Sequence, residues 1–144
     1  MAQSETDPGP LPTLASWTLG LAGVVHVLMG LQFVALWWLE TWQMFVVGGM
    51  IVGGAAAAVT AFPLGRGQSR PAIIGSVLAP LLGLLSVGWG AYALWNLSFA
   101  LYMLFAPPAA LLATVTVPLA IGPARRSERA IAALRARVGG AFGV

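Results

Sequence analysis

Four uncharged apolar stretches govern what this chain can fold into. They run over 14–39, 43–62, 72–95 and 97–121, and none contains Asp, Glu, Lys or Arg. A bilayer core of about 30 Å takes about 20 residues of helix, so each stretch is long enough to cross. Backbone amides in hydrocarbon must find their partners within the segment, which selects helices. A β-barrel would alternate polar and apolar positions in short strands, and these stretches do not alternate. The expected fold is an all-α membrane protein of four transmembrane helices, with a short amphipathic helix after the last.

Charge placement sets the orientation. Only 8% of the residues are charged, against roughly 25% in a soluble domain. The seven basic residues are all Arg. Arg66 and Arg70 follow the second stretch, and Arg125, Arg126, Arg129, Arg135 and Arg137 follow the fourth. Four spans put both ends of the chain on one side, and every Arg falls there. By the positive-inside rule both termini are cytoplasmic and two tight turns face out. Trp37, Trp38, Trp42 and Trp95 sit at the outer ends and Trp17 at the inner end, where indoles favour headgroups. The expected location is a prokaryotic inner or plasma membrane, the all-Arg usage suggesting a GC-rich genome.

The organisation reads as a disordered polar segment over 1–13, a four-helix domain over 14–121 and a basic tail over 123–144. The first segment lacks the positive charge of a signal peptide, so the first stretch is expected to stay as a span. Hairpins 14–62 and 72–121 resemble tandem copies. Gly30-x-x-x-x-Ala35-Leu36-Trp37-x-Leu39 parallels Gly88-x-x-x-x-Ala93-Leu94-Trp95-x-Leu97. Val59-Thr60 before Pro63-Leu64 parallels Val115-Thr116 before Pro118-Leu119.

Small residues mark where helices approach, because lipid gives helices no hydrophobic drive to associate. Gly49-x-x-x-Gly53-x-x-x-Ala57 forms a ladder that can dock a second subunit, although packing inside one bundle is the plainer use. Gly75-x-x-x-Ala79-x-x-x-Gly83 and Ser86-x-x-x-Gly90 belong to the third stretch. Pro80 and Pro107-Pro108 are expected inside helices, where each kinks the chain, with Thr114 and Thr116 bonding the freed carbonyls.

Few residues carry chemistry. With no cysteine there are no disulfides or thiolate metal sites. No nucleophile–base pair, carboxylate pair or metal cluster is evident, so no enzyme is expected and no catalytic or metal residues are assigned. His26 is the lone histidine and falls mid-span. Its functional readings are haem ligation, a proton relay or a bond to quinone; its structural reading is a neutral imidazole bonded across the bundle to a hydroxyl or a carbonyl. Met29 shares its face but cannot join it on opposite sides of one iron. Gln32 is expected to bond between helices, and Glu40 to cap a helix in the outer turn. His26, Gln32, Ser86 and Thr114 are the sparse polar groups that could line a solute path. No carboxylate lies in any span, which argues against a proton-driven exporter.

Over 123–138 the tail places Ile131, Leu134 and Val138 on one face and Arg125, Arg126, Arg129 and Arg137 on the other. Such a helix contacts anionic lipid at the membrane surface, or an acidic partner. No recognition fold accompanies it, so nucleic acid is not expected. Asn96-Leu97-Ser98 matches a glycosylation sequon only formally, in a tight turn against the membrane. The expectation is an accessory or assembly subunit of a membrane complex or homo-oligomer. The alternatives are a homo-oligomeric transporter or channel, and a haem- or quinone-binding module centred on His26.

Overall fold

A computed structural model describes residues 9–36, 39–95 and 101–141, with backbone alone at 101–102 and 139–141. Four α-helices follow in order: α1 Pro10–Leu36, α2 Thr41–Gly65, α3 Ser69–Trp95 and α4 Ala106–Ala141, with a 3-10 turn Leu101–Leu104 before α4. All four are long and apolar enough to cross a membrane, as in a multi-pass membrane protein. Each helix packs on its sequence neighbours, and α4 closes the ring by packing on α1. Helices α1 and α3 also touch across the diagonal.

Helix α1 starts at Pro10, earlier than the polar segment suggested. Proline at a first helical position has its φ already set and needs no amide partner there. Gly9 precedes it at φ 73°. The expected disorder over the first residues, the Trp37 and Trp38 placements and the Asn96 sequon all concern positions outside the described residues. The α2–α3 connection is three residues, Arg66 to Gln68. It turns on Gly67 at φ 76°, whose N–H donates to the Leu64 carbonyl at 2.9 Å. A side chain at that φ would be strained, so glycine is what lets the chain reverse so tightly.

The fourth stretch differs most from expectation. The helix begins at Ala106, so Pro107 and Pro108 occupy its first turn and break no bond. Pro80 is interior to α3 as expected, and the other interior prolines are Pro63, Pro118 and Pro123. Thr114 donates to the Ala110 carbonyl and Thr116 to that of Leu112, each at 2.8 Å. Neither reaches a carbonyl freed by proline, since Pro118 frees that of Thr114 itself. The separate short amphipathic helix is also corrected. Helix α4 runs unbroken for 36 residues. At 1.5 Å per residue it is about 54 Å long, against a bilayer core of about 30 Å.

The two hairpins differ at their matching glycines. Gly30 is pressed against Ile51, where an added methyl would sit 2.5 Å from Cγ1, while an added methyl at its counterpart Gly88 would meet no other element within 4 Å.

The core has two parts. At the Arg-rich end it is small: Ala15, Leu19, Leu64, Ala113, Val117 and Ala120. At the other end it is bulky: Met29, Phe33, Met50 and Trp89. Helices α1 and α2 meet backbone to backbone at Gly23 and Gly54. A methyl on Gly23 would lie 2.5 Å from the Gly54 carbonyl oxygen and 2.6 Å from the Ala58 nitrogen.

Candidate functional site

His26 is fully buried between α1 and α3. Its Nδ1 lies 2.6 Å from the Ala22 carbonyl oxygen and its Nε2 lies 3.0 Å from that of Leu82. Carbonyls only accept, so each contact is a hydrogen bond only where the ring nitrogen carries a proton. A neutral imidazole supplies one N–H, and the imidazolium supplies both. An iron ligand needs a bare ring nitrogen with open space before it. Here both nitrogens face backbone oxygens, and the ring bridges the bundle's diagonal. Met29 is buried with Phe33 and Met50 towards the opposite end from the arginines.

The other candidate polar groups stay local. Ser86 donates to the Gly83 carbonyl at 3.0 Å, and Thr114 to its own helix as above. Gln32 is partly buried, and its Oε1 lacks a hydrogen-bond partner. Thr18 and Thr116, 2.6 Å apart, do link α1 to α4.

At the far end from the arginines, Glu40 is the N-cap of α2. Its N–H donates to Gln43 Oε1 at 2.8 Å, and its Oε2 accepts from Trp42 Nε1 at 2.8 Å. Gln43 Nε2 in turn donates to the Tyr92 hydroxyl at 2.8 Å. Trp42 and Tyr92 meet edge to face at 5.0 Å, and Phe33 and Trp89 do so at 5.1 Å. Trp89 Nε1 is buried without a partner. This aromatic cluster joins α1, α2 and α3, a role that reading Trp42 as a headgroup anchor does not reveal.

Of the Gly49, Gly53 and Ala57 ladder, the two glycines are partly exposed beside α3. An added methyl at Gly53 would meet Leu82 Cδ2 at 3.2 Å, and one at Gly49 would meet Leu85 Cδ1 at 3.9 Å. Ala57 is fully buried. Small residues here leave room for the leucines of α3.

At the basic end the sequence reading passed over Glu128. Its Oε1 accepts from the Ser69 N–H at 2.8 Å and its Oε2 from the Ser69 hydroxyl at 2.6 Å. The carboxylate thus caps the start of α3 from a position on α4. The Ser69 hydrogen bonds, helped by Arg70 and Arg125 nearby, hold its carboxyl below the ordinary value, against a smaller opposing effect of desolvation. The available signal was a single carboxylate set among arginines, with no other acidic residue after Glu40.

One face of α4 runs the helix's length. Ala110, Ala113, Val117, Ala120, Ala124 and Ser127 are all buried on it. Their spacing alternates three and four, and it continues through Ile131, Leu134 and Val138. Those last three are 39%, 42% and 56% exposed. Arg125, Arg126, Arg129, Arg135 and Arg137 are exposed around them. The stripe that packs the bundle therefore leaves it uncovered.

The fold defines a class, a four-helix bundle of membrane-spanning length with one helix running on past the bundle. Searches against known protein families, curated proteins and solved structures find no match.

Proposed function

We propose that this protein is an accessory or assembly subunit of a membrane complex, lying in the cell membrane with its termini and arginines in the cytoplasm. The supporting observation is the uncovered end of the α4 stripe. Ile131, Leu134 and Val138 recur at helical intervals on a helix too long for the bilayer, ringed by arginines. Large apolar residues in water gain by being covered. A second copy of α4 would bring Arg135 and Arg137 against their own kind. The partner that fits is an acidic amphipathic segment of another subunit. Arg125, Arg126 and Arg129, nearer the bundle, are placed to contact anionic headgroups.

The rivals draw less support. His26, Ser86 and Thr114, three of the four groups offered for a solute path, contact backbone carbonyls. The haem reading needs a ring nitrogen that His26 does not leave open. A duplicated hairpin remains a proposal about origin, supported by Thr60 and Thr116, which each bond the carbonyl four residues back.

The test is the native mass of the complex after gentle solubilisation from the source membrane. Co-migrating polypeptides that are lost on truncation after Arg129 support the reading. A chain running alone, or as a small homo-oligomer, defeats it.

A further inference from the structure

A groove of about 500 Å³ opens on the outside of the bundle between α1 and α2, within the size range of small-ligand sites. Trp17, Leu21 and Val24 line it from α1, and Ala58 and Phe62 from α2. Positions 17, 21 and 24 share one helix face and span about 10 Å along the axis. Gly20 and Ala58 give the groove depth, because neither projects a long side chain into it. Ser16 also borders the groove, but its hydroxyl is committed to the Ala61 carbonyl at 2.7 Å. The walls thus present hydrocarbon and aromatic rings. Trp17 and Phe62 are 75% and 66% exposed, so the groove opens outward, away from the bundle core.

Its lower end carries a charge. The Arg66 guanidinium lies over the Phe62 ring, 4.3 Å from the centroid. Stacking on a ring uses the guanidinium's face and leaves its N–H edge to bind an oxyanion. Glu40 and Glu128 are the acidic residues among those described, and both are engaged elsewhere. Trp17 lies near the start of α1, at the same end as Arg66, where an indole suits the headgroup region. An apolar channel running towards mid-bundle with a cation at its mouth matches a lipid in shape and charge.

We infer that this groove binds an acyl chain of an anionic phospholipid, with its phosphate on Arg66. The site is separate from the α4 stripe and stands whether or not that stripe finds a partner.

The test is native mass spectrometry of the purified full chain, loaded with phosphatidylglycerol or phosphatidylcholine of identical acyl chains. Wild type is expected to retain phosphatidylglycerol about fivefold better, the contribution typical of one basic residue at a membrane surface. Arg66→Gln should bring the two lipids near parity, and Arg66→Lys should keep part of the preference. Val24→Trp, at an exposed position that fills the groove without touching the core, should lower retention of both. Arg137→Gln should leave the preference in place.

Equal retention by wild type, a preference that survives Arg66→Gln, or retention unaffected by Val24→Trp would overturn the assignment. So would loss of the preference in Arg137→Gln, which would trace it to net charge. The chain has no cysteine, so Trp17→Cys gives a unique crosslinking site. Efficient copy-to-copy crosslinking there in membranes would assign the groove to a second subunit and overturn it as well.

Discussion

The two halves of α4 carry one stripe in two materials. Inside the bundle it is Ala110, Ala113, Val117, Ala120, Ala124 and Ser127; beyond the bundle it is Ile131, Leu134 and Val138. The change falls at Glu128, whose carboxylate holds the start of α3. In lipid, apolar bulk earns nothing over contact with acyl chains, so small residues that bring backbones together are favoured. In water, bulk is what makes covering a surface favourable. The same periodicity thus serves close packing in one half and, in the proposed assembly, docking in the other, and substitutions should separate the two.

The largest effect is expected from overfilling the covered half. Ala113 is fully buried. Ala113→Phe should destabilise the bundle by about 1–3 kcal/mol or more, read as a fall in the detergent melting temperature. If the melt is unchanged, the covered half is not close-packed and the contrast fails.

The uncovered half should respond in the opposite way. Leu134 is 42% exposed, so Leu134→Asp removes apolar area from the open end of the stripe. The melt of the isolated protein should stay within about 0.5 kcal/mol, as for ordinary surface changes. Retention of the co-migrating subunit should fall by at least about tenfold, since burying one such side chain is worth about 1.5–3 kcal/mol. A lowered melt with intact co-migration would show the stripe to be covered from within.

Much of this architecture was legible from apolarity alone, and what was missed has physical causes. Hydropathy separates lipid-compatible from incompatible residues, and it finds four spans. It cannot tell where a helix starts inside an apolar run, so 101–105 read as span and Pro107-Pro108 as a kink. A small-residue ladder shows that something approaches closely, but not what; Gly49 and Gly53 await Leu85 and Leu82, which only the fold brings near. Gly23 belongs to no ladder, yet it brings the backbone of α1 against that of α2 at Gly54 and Ala58. Of the polar candidates, the expectation of a carbonyl partner for His26 agrees with the fold, whereas the Leu82 identity of that partner was beyond sequence reach.

His26 tests whether the bundle relies on polar links as well as on small residues. His26→Leu removes the α1–α3 contact while keeping similar bulk. Hydrogen bonds between membrane helices average about 0.6 kcal/mol and reach about 1.7, so the loss should fall in that range. Unfolding in mixed micelles would measure it. An increase in stability would mean that the second carbonyl contact is a burden on the ring.

The smallest effect is expected at the boundary between the halves. Glu128 lies past the apolar stretch that ends near Ile121, and it is exposed apart from its contacts with Ser69. Its carboxyl is held below the ordinary value, first by the Ser69 hydroxyl and amide and then by Arg70 and Arg125. A carboxylate of that kind stabilises the fold in full above the unfolded-state value of about 4.3 and loses its contribution as pH falls through the lower folded value. The melt of the wild type should therefore hold level from neutral pH to about pH 5 and decline below that. Glu128→Gln should lower the neutral-pH melt slightly, by no more than about 1 kcal/mol for a group so open to solvent. The gap between the two proteins should then close in acid, because the protonated wild type no longer offers Ser69 a carboxylate. A gap that stays constant to pH 3 would show that the α3 cap depends on the shape of the side chain and not on its charge, and would leave the arginines as the only charge that marks where the bundle ends.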